Sequence, residues 1–249
     1  MTKMASAIAV DLGSDIAGVW TDRQGVVSGR CDSAGPLIRR GRVVDFDGCV
    51  AMLSQLVGTF AQPVPSGGVV VACRPVLASG DDQETTRRVL KAVFEPSRLL
   101  LIDSVRAAAM GAGETADMLL VADVGAELTE VALLDYGRVV EARRSDIGTR
   151  DLSSDVPVDV IVDHIAAHVD SLDVEPPEDG LLLVGDGALH PGLVEAVAAR
   201  LGIRVHRAAD PRTAALNGAG KAAMSLLRHP GADITPAAAA HLHLEPGRE

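Results

Sequence analysis

The chain has 249 residues, enough to bury one large core or two modest ones. Apolar residues make up 47% and aromatics only 2%, so a core must be built from Val, Leu, Ile and Ala. The formal net charge of −11 argues against a nucleic-acid-binding surface or a docking face for anionic lipid, since both partners are themselves anionic.

In chain order, the first feature is an apolar strand that ends in a turn after Asp11-Leu12-Gly13, with an alternating strand and a second turn at Gly25 beyond it. This pattern recurs at an offset of 112 residues. Val10 to Ile16 answers to Ala122 to Leu128, and the register holds through Val19 and Val131, Gly25 and Gly137, Val27 and Val139. Two similar α/β halves are expected, residues 1–113 and 114–229, followed by a mobile tail, 230–249, rich in Pro, Ala, His and Glu. Within the first half, Gly35-Pro36 marks a loop, and Asp45 or Asp47 caps a helix with Val50, Leu53, Leu56 and Val57 on its apolar face. Gly68 to Cys73 reads as a strand buried on both faces. A helix from Asp81-Asp82 to Pro96, a strand Leu99 to Ile102 and a small-residue helix Ser104 to Ala112 follow. The second half repeats the scheme, with a helix over Val158 to Leu172 and a strand Leu181 to Val184. After the loop Gly185-Asp186-Gly187 come a helix Pro191 to Leu201, a strand Ile203 to His206, and a last helix opened by Asp210-Pro211. The β–α alternation describes sheets covered by helices.

Glycine turns of this kind can grip a polyphosphate, because backbone N–H groups come close to anionic oxygens. A carboxylate at each hairpin start, Asp11 and Asp123, could face Mg²⁺ through water. Each could equally cap its own hairpin through local backbone hydrogen bonds.

Five segments together resemble the actin-like ATPase fold and, within it, the MreB family of bacterial actins. Ala9 to Ser14 is similar to the first phosphate loop, and Gly41 to Leu53 to the connecting segment with its Gly-x-x-x-Asp-Phe spacing. Leu101 to Gly113 resembles the strand and Ala-rich helix that follow, and Met118 to Leu133 the second phosphate loop. Leu182 to Gly220 resembles the adenosine-binding segment. The resemblance spans most of residues 8 to 221 in the family's order. It implies a duplicated, ribonuclease H-like α/β fold of two subdomains, with ATP and Mg²⁺ as cofactors. The implied contacts are Asp11, Gly13 and Ser14 from the first loop and Asp123, Gly125 and Thr129 from the second. Gly185, Gly187 and Ala188 would lie beside the adenosine, although Gly185 and Gly187 also suit a plain strand-to-helix turn.

The departures from the family are specific. The segments after Val27 and after Asp151 are too short for the small outer subdomains, so those should be missing. The second loop reads Gly125-Ala126-Glu127-Leu128 where the family has three glycines and a threonine. A side chain at a turn position needing positive φ costs about 1–2 kcal/mol. Asp15, Glu127 and Asp186 place an acid in each of the three loops, and a bare carboxylate about 5 Å from a phosphate oxygen repels it by on the order of 3 kcal/mol. The family's catalytic glutamate aligns with Ser104, which cannot polarise water as a carboxylate does. The resemblance therefore implies a reduced, non-hydrolysing scaffold or regulator in cell-shape or wall-synthesis machinery. It would bind actin-like filaments, other protein partners or copies of itself, and nucleotide would be weakly held or absent. An ATP-binding, slowly hydrolysing switch is the alternative, and a small-molecule kinase ranks third.

Other features carry less. Cys31, Cys49 and Cys73 are scattered, without C-x-x-C spacing. The N-terminal apolar run is broken by Asp11, unlike a signal peptide, and no segment reaches the ~20 apolar residues of a membrane span, so a cytoplasmic location is expected. His164 and His168 have ligand-like spacing on a helix but no evident third ligand, and His241 and His243 read as solvated tail. The arginine clusters Arg39-Arg40-Arg42, Arg87-Arg88 and Arg143-Arg144 read as solvated faces balancing nearby acids. Ala107 to Met110 reads as a close helix-packing stripe.

Overall fold

The structure is a computed structural model and describes residues 6–31, 35–153, 156–172, 174 and 176–229. The first half begins with a three-stranded meander, β1 (Ala7–Leu12), β2 (Ile16–Thr21) and β3 (Gly25–Arg30). A short ribbon, β4 (Ile38–Arg39) and β5 (Arg42–Val43), leads into α1 (Phe46–Val57). Then come β6 (Val69–Arg74), α2 (Gly80–Phe94), β7 (Arg98–Asp103) and α3 (Ser104–Ala112). The second half repeats this order with β8 (Met118–Val124), β9 (Thr129–Asp135), β10 (Arg138–Ser145), α4 (Asp159–Asp170), β11 (Leu181–Val184), α5 (Leu193–Leu201), β12 (Val205–Arg207) and α6 (Ala214–Arg228). Two sheets result, ordered β3-β2-β1-β6-β7 and β10-β9-β8-β11-β12. Each has two antiparallel pairings on one side and two parallel ones on the other. The sequence repeat is thus a repeat of topology.

The cause of this layering is where the apolar residues fall. β1 and β6 are buried along nearly their whole length, as strands covered on both faces must be. On one face of the first sheet, Ile8, Val10, Val70 and Ala72 pack with Cys49, Leu53 and Leu90 of α1 and α2. On the second, Leu120, Leu181 and Leu183 pack with Ile161, Ile165 and Val197 of α4 and α5. The remaining faces meet α3 and α6, through Ala7, Val71 and Ala219 on one side and Val121, Leu182 and Ala108 on the other. The small residues of α3 and α6 are what let two helices fit between two sheets. The alanine stripe is therefore a packing surface.

One open reading is settled and two helix starts move. Asp45 is the cap of α1, accepting from the Gly48 amide at 2.9 Å, while Asp47 sits in the first turn. The helix expected from Asp81-Asp82 begins at Gly80, with Ser79 capping α2 through the Asp82 amide. Asp210-Pro211 does not open α6. The Pro211 carbonyl accepts from the Gly185 amide at 3.0 Å, which holds this turn against the glycine loop and delays the helix to Ala214. Among the described residues, the stretch from Val27 to Gly35 holds only the end of β3, and that from Asp151 to Gly180 holds the one helix α4. The expected tail, with His241 and His243, lies outside the described residues.

Candidate functional site in the cleft between the halves

Each half presents its first hairpin turn to a common cleft, and the two turns close in the same way. The Gly13 amide donates to the Ile16 carbonyl at 3.1 Å, and the Gly125 amide to the Leu128 carbonyl at 2.8 Å. A cavity of about 290 Å³ lies between them, at the small end of ligand pockets. Of the sequence candidates, Asp11, Gly13, Ser14, Asp123, Gly125 and Gly185 line it, as does Ser104. Thr129, Gly187 and Ala188 do not. The Thr129 hydroxyl is fully buried and donates to the Ile147 carbonyl at 2.9 Å, tying β9 to the segment after β10. Gly187 and Ala188 pack beneath the loop, Gly187 directly against Val124. Gly185 has φ +84, and a Cβ there would overlap the Asp123 carboxylate and the Val124 carbonyl, so a glycine is required at this contact.

Asp11 and Asp123 are the last residues but one of corresponding strands, β1 and β8, and both line the cavity. Neither carboxylate makes a hydrogen bond or ion pair among the described residues, so neither side chain caps its hairpin in this structure. Burial pushes Asp11 up to about 6. Burial, with the Asp11 charge added, pushes Asp123 up to about 7. Glu130 pairs across the ladder with Asp123 and is 4% exposed. One of its oxygens accepts from the Val76 amide, which links β9 to the loop after β6 in the other half. Burial and the Asp123 charge hold the Glu130 carboxyl well above the ordinary range, against the opposing pull of the Val76 amide and Arg144. Cys73, 5% exposed, completes the floor, its thiol raised by burial and by these acids.

The turn acids behave differently from the expectation of bare carboxylates. Arg150 stands on the 3₁₀ turn after β10. That turn is docked on the second hairpin by Thr149 N–H to the Gly125 carbonyl and Arg150 N–H to the Ala126 carbonyl, at 3.0 and 2.8 Å. From there its guanidinium reaches Asp15 at 2.7 Å, the Ser14 carbonyl at 3.2 Å and Glu127 at 3.4 Å. Arg30 also pairs with Asp15 at 3.1 Å, and the Arg40 amide donates to Glu127 at 2.8 Å. Asp186 pairs with Arg212. The acids are therefore compensated, and the repulsion of a bare carboxylate does not describe them. Ala126 and Glu127 are likewise free of the expected backbone cost, because neither has positive φ. Arg150 was not legible as a site residue: an acid in each turn calls for a cation, but nothing local says which one.

Ser104, expected from the resemblance to stand where a catalytic glutamate would, donates its hydroxyl to the Arg74 carbonyl at 3.0 Å. Its neighbour Asp103 pairs with Arg74 at 3.1 Å. Among the described residues no group of three or more His, Cys, Asp or Glu could hold a metal ion. The His164 and His168 rings lie 6.2 Å apart without a third partner of that kind. No helix of the described residues is long and apolar enough to cross a membrane.

The sequence matches no protein-family model and no curated protein. Solved structures do share the architecture. MreB5 of Spiroplasma citri bound to AMPPNP superposes with a TM-score of 0.78 at 13% identity, covering 91% of this chain and 98% of that one. The same protein bound to ADP gives 0.74 at 15% identity, over 90% and 98%. The ethanolamine utilization protein EutJ from Carboxydothermus hydrogenoformans gives 0.68 at 18% identity, over 86% and 89%. The chain thus has an actin-like α/β fold.

Proposed function

We propose that this actin-fold chain is a non-hydrolysing scaffold or regulator that binds protein partners, in cell-shape or cell-wall machinery of the kind its MreB-like character implies. The observation that carries the reading is the clasp of Asp15, Arg150 and Glu127 across the two hairpin turns. A triphosphate entering between those turns would compete with two carboxylates for the arginine and would leave both acids beside its own charge. Ser104 adds no base or water-orienting carboxylate where hydrolysis would need one. Exposed apolar side chains, including Leu77 at 68% and Val44 at 54%, suit contact with an actin-like filament or with a second copy.

A second reading keeps nucleotide. Asp11 and Asp123 remain open to the cavity, and MreB5 holds AMPPNP and ADP in its own structures. In that case the chain is an ATP-dependent switch with Mg²⁺ at the two aspartates.

Calorimetric titration with Mg-ATP separates them, beside pelleting with filaments of an MreB from the same cell. Silence at millimolar Mg-ATP together with co-pelleting supports the scaffold. Micromolar Mg-ATP affinity would replace it with the switch.

A further inference from the structure

The cavity has a charge pattern opposite to that of a phosphate site. Six carboxylates and one guanidinium, Arg212, line it, and Arg212 is already paired with Asp186. Asp11 and Asp123 have no partner among the described residues, and the 96%-buried Glu130 has only one oxygen engaged. Arg150 and Arg30, which reach the turns, pair with Asp15, and Arg150 also with Glu127. The walls around this acidic floor are mostly apolar, formed by Leu12, Ile16, Val26, Pro75, Leu128 and Leu216, with the hydroxyl residues Ser14, Ser28, Ser104 and Thr213 among them. Unpartnered acids at the end of an apolar-walled pocket are complementary to a cation on an aliphatic stem, whose methylenes contact the walls while its head meets the carboxylates.

We propose that the cleft is a receptor for a basic side chain, the ammonium or guanidinium end of a Lys or Arg presented by a docking protein partner. The inference rests on the reading above that no triphosphate fills the cleft, and it supplies the contact through which a scaffold of this kind would hold its partner. The head group would lie between Asp11 and Asp123 with Glu130 behind them. A cavity of about 290 Å³ accommodates one such side chain, which is the scale of a single anchoring residue.

The test uses the full chain and three probes in NMR and calorimetric titrations: a capped Ala-Ala-Lys-Ala-Ala peptide, its norleucine counterpart and 1,5-diaminopentane. The lysine peptide should bind and the norleucine peptide should not, and Asp123→Asn or Asp11→Asn should weaken binding by at least about tenfold while melting cooperatively. Equal binding of the norleucine peptide would overturn the proposal, as would unchanged affinity in both variants or a silent lysine peptide. Binding of the diamine with a silent lysine peptide would also overturn it, since the site would then take a free amine. Mg-ATP is titrated into the same samples. Heat from Mg-ATP counts against the scaffold reading, whereas the lysine peptide alone decides the cation site.

Discussion

Gly111 of α3 and Ala214 of α6 approach so closely that a Cβ on the glycine would overlap the Ala214 carbonyl, and Gly218 of α6 stands in the same relation to Ala107 of α3. The two helices are counterparts in the repeat, and their crossing joins the halves beneath the cleft. Both obstacles are backbone atoms and cannot rotate away. Gly111→Ala and Gly218→Ala are therefore each expected to destabilise the chain by about 1–3 kcal/mol through overpacking. Urea melts of the two variants check this. A midpoint equal to wild type in both would mean the helices can separate at no cost.

Removing the Arg150 side chain should unlink the two hairpin turns. Its side chain is 33% exposed, so screening limits the loss, and Arg150→Ala is expected to cost about 1 kcal/mol at low salt. The cost should shrink as salt is added to wild type and variant alike. A loss that stays constant from low to high ionic strength would show that packing, not charge, sets the role of Arg150.

The acids on the floor give stability a pH dependence of definite sign. Burial pushes Asp11 up to about 6 and Asp123 up to about 7, both above their unfolded values. The folded state therefore holds these protons more tightly. Their contribution is fully present below about pH 4 and is lost as pH rises through 6 and 7. Asp123→Asn removes that loss and should raise unfolding stability by on the order of 1–3 kcal/mol near pH 8, with little effect near pH 4. Denaturant melts of both proteins at the two pH values decide it, and destabilisation near pH 8 would contradict the sign.

Glu130 accepts from the Val76 amide in a site closed to solvent, Val76 being 2% exposed. Glu130→Ala should leave that N–H unsatisfied at a cost of about 1–3 kcal/mol, whereas Glu130→Gln keeps an acceptor. Hydrogen exchange at the Val76 amide should accelerate in the alanine variant and stay slow in the glutamine one. Equal rates in all three proteins would remove Glu130 from this link.

How much of this was legible beforehand differs between fold and site. The sequence alone determined the duplicated topology, because Gly13 and Gly125 and the strands around them recur at one spacing and hydrophobic period is a local property. It also determined that acids occupy both turns. The pairing of Asp15 and Glu127 with Arg150 was decided only in three dimensions. Arg150 is far from Asp15 along the chain and reaches it because the turn bearing it docks on the second hairpin through backbone hydrogen bonds that any side chains would allow. The same holds for Thr129, whose hydroxyl looks like a phosphate ligand in the motif but is turned to the Ile147 carbonyl by the strand it sits on. Periodicity is written residue by residue, whereas compensation of charge depends on which distant segments the packed core brings within a few ångströms of one another.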